Sequence, residues 1–195
     1  MTEGIGNHMH WAAQKNAVMW CVTFTDGITP EEVLTAYGFS LDDARTVDWS
    51  ETLEWMADRD RPDAAVFPLR FGRTGGWSFC FEKSTVLGSS DDVLARLSAT
   101  TETISVMLGG GGVNRFGCWR NGRVVESFEP GHPRTKPAPP HLWWDAVQER
   151  MRATGERYPG MLPVLEVVAE RVGAILDDET LDGQLHTVMM KDPYR

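Results

Sequence analysis

An α+β fold is predicted: a mixed, largely antiparallel sheet of about six strands with helices packed on it. Three observations predict it. Short segments rich in β-branched and aromatic residues alternate with a period of two. Two short helices are announced by capping residues and acids in the first turn. An Asn121-Gly122 dipeptide joins two of the strand segments, and that pair is the favoured two-residue hairpin turn. A chain of 195 residues is long enough to bury a sizeable core as one domain.

Residues 1–16 are polar and are expected to be a flexible segment. His8 and His10 alternate there, but two histidines without a carboxylate or thiolate make a poor metal site. A first strand spans Ala17 to Asp26, with Val18, Trp20, Val22 and Phe24 on one face. Asp26-Gly27 closes it. Thr29-Pro30-Glu31-Glu32 then reads as a helix start, with Thr29 as N-cap, proline in the first turn and Glu32 completing a capping box. Gly38 stops that helix.

The pattern recurs. Trp77 to Phe81 matches Trp20 to Phe24, 57 residues on, and Asp91-Asp92-Val93-Leu94 echoes Glu31-Glu32-Val33-Leu34, 60 residues on. Three extra loop residues account for the difference, so two strand–loop–helix units are expected in one sheet.

Between the units, residues 41–63 hold Asp42, Asp43, Asp48, Glu51, Glu54, Asp58, Asp60 and Asp63 against Arg45, Arg59 and Arg61. Ser50 is placed to cap a helix running to about Asp58. At 100° per residue Trp49, Leu53, Met56 and Ala57 share a core face, and Trp55, Glu51, Glu54 and Asp58 point the other way. An aromatic ring among carboxylates has the composition of a protein interface.

Ala64 to Phe71 is the next strand, demoted by Pro68 to an edge or bulged position. Arg73-Thr74-Gly75-Gly76 turns it into the Trp77 strand. Thr103–Leu108, Val113–Arg120 and Arg123–Glu129 follow as three sequential antiparallel strands. Gly109–Gly112 reads as a hairpin loop, since neither a Lys-Ser/Thr pair nor a helix follows it. The sheet domain therefore covers residues 17–129. Residues 130–140 form a proline-rich connector, and 141–195 a helical extension packed on the same domain. Three stripes mark that extension: Trp143, Val147 and Met151; Leu162, Leu165, Ala169, Val172 and Leu176; and Leu181, Leu185 and Met189.

The net charge of −9 argues against a general nucleic-acid binder and favours a basic partner. No apolar run approaches a membrane span, and no basic region with an apolar run marks a leader, so a cytoplasmic protein is expected. Cys21, Cys80 and Cys118 are widely spaced and suit reduced, buried thiols. Nucleophile-elbow, HExxH, Walker and kinase signatures are absent, so the reading leans away from an enzyme and assigns no catalytic residue, metal or cofactor.

At WCVTFTDGITPEEVL, GGWSFCFE, GSSDDVLARLS and ETISVML the chain resembles an uncharacterised actinobacterial domain-of-unknown-function family, over about Trp20 to Glu129. It departs from the family pattern at Gly109–Gly112, where relatives carry an Asn-containing loop. The resemblance implies an α+β fold and brings no activity. A looser similarity links it to immunity proteins of bacterial conflict systems. The leading expectation is a non-enzymatic protein-binding module, an immunity or regulatory protein, that meets a basic partner through Trp55, Glu51, Glu54 and Asp58. The alternative is a small-ligand sensor or enzyme with a pocket near Trp77, Trp119, Asn114 and Gly109–Gly112. A homodimer sealed by the C-terminal helices is a third reading.

Overall fold

The computed structural model describes residues 8–13, 19–57 and 66–191. Its centre is one eight-stranded sheet in the order β2-β8-β3-β4-β1-β5-β6-β7. The strands are β1 (Trp20–Asp26), β2 (Arg45–Val47), β3 (Val66–Thr74), β4 (Trp77–Lys83), β5 (Glu102–Leu108), β6 (Asn114–Arg120), β7 (Arg123–Phe128) and β8 (Leu185–Lys191). Every neighbouring pair is antiparallel. The α+β class holds, but the sheet has two more strands than expected and, among the described residues, no parallel pair.

Both extra strands lie at one edge, and each was hidden for a reason. β2 is only three residues long, inside the acidic segment. β8 falls in the third helical stripe, because Leu181, Leu185 and Met189 lie at steps of four. The helix there, α7 (Asp178–Asp182), is a single turn capped by Asp177, whose carboxylate accepts from Thr180 N–H at 2.8 Å. From Leu185 the chain pairs on both sides, with β2 and β3, so ladder bonds outweigh a helix there. β3 is interior rather than an edge. Pro68 is tolerated because it pairs with Met189 alone, and pairing with β4 begins only at Leu69.

Helices cover both faces. On one, Trp20, Val22 and Phe24 of β1 share a cluster with Phe79, Phe81, Ile104, Val106 and Phe116. Two helices of the C-terminal part bury against it. α5 (Trp144–Ala153) contributes Val147 and Met151, and α6 (Leu162–Val172) contributes Val164, Leu165 and Val168. These stripes thus pack on the chain's own sheet. α1 (His10–Ala13) joins them, with Met9 and Ala12 buried and Trp11 Nε1 donating to Leu176 O at 2.7 Å. Residues 8–13 are therefore packed; residues 1–7 and 14–18 lie outside the described ones.

On the other face, α2 (Pro30–Ala36) and α4 (Asp91–Leu97) lay Val33, Leu34, Tyr37, Val93 and Leu97 over Leu69, Phe71, Cys80 and Val188. α2 starts as its residues dictate. Thr29 Oγ1 accepts from Glu32 N–H at 3.2 Å, and Glu32 accepts from Thr29 N–H at 2.7 Å.

The duplication read from the residues has a geometric counterpart. β1 and β4 are direct neighbours, and Thr23 lies opposite Cys80, its own equivalent 57 positions on. Trp20 pairs with Lys83 and Asp26 with Trp77, so the register is unchanged when the strands are exchanged. The helices follow it only in part. α2 crosses to β4 and β3, whereas α4 crosses the other way to β5 and β6, one strand further out than strict exchange would place it. A local two-fold passes between Thr23 and Cys80.

Candidate functional site

The acidic segment forms a groove at the β2 edge of the sheet. Its helix, α3 (Trp49–Ala57), is capped by Asp48 rather than by Ser50. Asp48 Oδ1 accepts from Glu51 N–H at 2.8 Å, and Glu51 Oε2 accepts from Asp48 N–H at 2.9 Å, a reciprocal box. That start fixes the helix phase. Thr52 is fully buried and donates to Asp48 O at 2.7 Å, while Trp55, one turn on, is half-buried.

The face expected to enter the core is therefore largely outside. Leu53 is 48% exposed and Met56 37%. Cation–aromatic contacts decide the rotation, which apolar periodicity does not register. The Arg45 guanidinium lies 4.3 Å from the Trp55 ring centroid. At the other end of the helix, Arg70 and Lys83 lie 5.3 and 5.1 Å from the Trp49 ring.

The resulting groove, about 570 Å³, is lined by Arg45 and Val47 of β2 and by Glu51, Glu54, Trp55 and Ala57 of α3. Glu51, Glu54 and Trp55 are thus brought together; Asp58 lies outside the described residues. Glu51 also accepts from Gln184 Nε2 at 3.0 Å. β2 has one strand neighbour, β8, and forms an end of the sheet.

Arg70 holds this corner in place. It is fully buried, and its guanidinium donates to the carbonyls of Val47 and Gly183, each at 2.8 Å, and of Leu181. Burial pulls its pKa down to about 10, with Asp182 and Asp48 opposing. One cation thus ties β2, α7 and the start of β8 to β3.

The residues of the alternative pocket do not share one place. Trp77 pairs with Asp26 and Thr74, at the opposite sheet end from Leu108, where the Gly109–Gly112 loop begins. Trp119 is buried beside Gly117 and Ser105, at the Thr103 level of β5. Asn114 stands alone of the three at the loop end. There it lines a cleft of about 680 Å³ with Leu108, Gly112, Glu129, Met151, Tyr158 and Met161 among others.

Two buried carboxylates were not singled out from the sequence. Glu126 of β7 accepts from the N–H groups of Trp143 and Trp144, at 2.9 and 2.7 Å, and so caps α5 from across the core. Glu82 of β4 accepts from Tyr37 Oη, Thr85 Oγ1, Leu87 N–H and Gly88 N–H, at 3.1, 2.5, 2.7 and 2.6 Å. Burial raises the Glu82 pKa, and those four donors counter it. Gly88 must be glycine for this contact, since a Cβ would stand 2.1 Å from Tyr37 Oη and 2.6 Å from Glu82 Oε1. Both sites are closed to solvent and serve the fold. The signal in sequence was weak, because an isolated Glu in a strand is ordinarily a solvent-facing residue.

Burial also raises the thiol pKa values of Cys21, Cys80 and Cys118, the last to about 12, so none is a poised nucleophile. His10 Nδ1 lies 3.0 Å from Asp178 Oδ2. Among the described residues no group of three or more His, Cys, Asp or Glu is arranged to hold a metal ion. None of the described helices is long and apolar enough to cross a membrane.

Comparison with curated proteins and with solved structures finds no match. Residues 8–158 match the family model described as "Family of unknown function (DUF6461)". The match runs through α1, both strand–helix units, the three-strand meander and α5, and the chain belongs to this family of unknown function.

Proposed function

We propose that the chain is a protein-binding module that receives a basic, extended segment of a partner protein in the groove between β2 and α3. The observation that carries this reading is the groove itself. An end strand of the sheet lies beside a helix that turns Leu53 and Met56 to solvent and lines the groove with Glu51, Glu54 and Trp55. A strand added to a sheet edge gains affinity from main-chain hydrogen bonds and specificity from alternate side chains. Here alternate side chains of the incoming segment would meet Trp55 and the carboxylates of α3. From Leu41 to Ala57 five acids face one arginine, which favours Lys or Arg on the segment and speeds encounter. Engaging a basic partner as an immunity or regulatory protein is the role this acidic surface would serve.

The test uses the full chain and synthetic peptides of alternating Val and Lys, with Val-Glu peptides as controls. Saturable shifts confined to β2 and α3 amide resonances are expected with the basic peptides alone. Glu54→Lys combined with Trp55→Ala is expected to weaken binding at least about tenfold. Undiminished binding by that double variant, or shifts mapping elsewhere, overturns the reading.

A further inference from the structure

The cleft at the opposite edge region of the sheet calls for a ligand of its own. Trp20, Leu108 and Asn114 make one cross-strand row at the loop end, and Leu108 and Asn114 line the cleft. Asn114 Oδ1 is buried and has no hydrogen-bond partner among the described residues, and Trp20 Nε1 in the same row shares that condition. A buried acceptor without a donor costs about 1–3 kcal/mol and asks for an explanation.

The walls say what kind of donor fits. Phe116 pairs with Phe128, which brings Asn114 to the same sheet end as Glu129. Glu129 is half-buried in the cleft, and its carboxylate makes no ion pair among the described residues. Leu108, Met151 and Met161 supply an apolar floor, and methionine adapts to irregular ligands. The Tyr158 ring, 77% exposed at the rim, carries the Arg157 guanidinium 5.2 Å from its centroid. Glu156 and His132 complete the charged and titratable lining.

We infer that this cleft binds a small organic amine. Its ammonium donates to Asn114 Oδ1 and is balanced by the Glu129 carboxylate, while its alkyl or aryl body lies on Leu108, Met151 and Met161. Three of these features act together: an acceptor short of a donor, a carboxylate short of a cation, and a concave apolar floor. An anion would meet the Glu129 carboxylate at the same sheet end as Asn114, and a purely apolar molecule would leave the amide unsatisfied. The site is independent of the β2–α3 groove.

The experiment follows Met151 and Met161 methyl resonances of the full chain during titration with phenethylamine, 3-phenylpropionate and toluene. Saturable shifts with phenethylamine are expected, with 3-phenylpropionate at least about tenfold weaker. Asn114→Leu fills the same volume without the polar atoms; it is expected to weaken the amine at least about tenfold and to leave the melting temperature unchanged or higher. Should Asn114→Leu lower the melting temperature, Glu129→Gln decides, since it is expected to weaken the amine about fivefold and to abolish its salt dependence. Equal binding of amine and carboxylate, no saturable shift, or full amine binding by Asn114→Leu or Glu129→Gln overturns the assignment.

Discussion

Arg45 stacks on Trp55 across the β2–α3 groove, with the guanidinium carbon 4.3 Å from the ring centroid. The contact holds the aromatic side chain of α3 against the sheet edge and leaves Leu53 and Met56 on the outside. An exposed leucine adds little to stability. Leu53→Glu is therefore expected to change the unfolding free energy by less than about 0.5 kcal/mol, measured by urea denaturation. A loss of about 2 kcal/mol or more would place Leu53 in the core and remove the face from consideration.

Arg70 is the opposite case. Its guanidinium serves three backbone carbonyls, those of Val47, Leu181 and Gly183. Arg70→Met keeps much of the volume but strands those acceptors. A cost of about 3 kcal/mol or more is expected. Hydrogen exchange should rise first in β2 and α7, the elements that this side chain joins to β3; uniform change across the sheet would contradict the clamp.

Glu126→Ala removes the acceptor for both N–H groups at the start of α5. Loss of a side-chain cap costs about 0.5–2 kcal/mol, and burial of the freed donors places the expected value at the upper end. Glu126→Gln keeps one good acceptor and should recover about half. Thermal and urea denaturation of both variants settles the order.

Glu82 gives the fold a pH dependence of defined sign. Burial holds its folded pKa above the ordinary carboxyl value of 4.5. Its contribution is greatest below the unfolded pKa and is lost as pH rises through the folded pKa. Relative to the non-titrating Glu82→Gln variant, the wild-type chain should therefore lose stability above about pH 4.5, by at most about 1.4 kcal/mol per pH unit. Parallel denaturation curves from pH 4.5 to 8 test it. A constant difference would show the four donors fully offsetting desolvation.

Gly88→Ala should act on the same network. A methyl 2.1 Å from Tyr37 Oη forces the loop off Glu82, and a cost of about 2–3 kcal/mol is expected. Tyr37→Phe should relieve part of that cost, because it removes the atom the methyl strikes. Additive effects in the double variant would refute this account.

Much of the architecture was legible because local chemistry and global fold agree. Thr29 with Glu32, Gly75-Gly76 and Asn121-Gly122 each prescribe one backbone event, and each occurs where the residues place it. The misreadings share a cause. Leu181, Leu185 and Met189 satisfy a helical spacing and the run from Leu185 to Lys191 shows no strand alternation, so it is strand partners far away in sequence that decide between the two. Leu53 and Met56 look like core to any periodicity measure, while the phase of α3 is set by a cap at Asp48 and by rings lying on Arg45 and Arg70. At the candidate sites, Glu51, Glu54 and Trp55 converge because one short helix carries them. Trp77 and Asn114 do not, since residue spacing says nothing of which sheet end a strand terminus reaches.

The two-fold relation of β1 and β4 has a consequence for how the halves find each other. The position equivalent to Glu82 in the first unit is Thr25, whose hydroxyl meets that of Thr103 at 3.1 Å. The phenol that reaches Glu82 belongs to the segment after β1, and its counterpart in the second unit is Leu97. A chain that folded with α2 and α4 transposed would set Leu97 against Glu82 and deprive that carboxylate of the phenol that donates to it at 3.1 Å. The lone acid thus works as a key that favours one order of assembly for two look-alike halves.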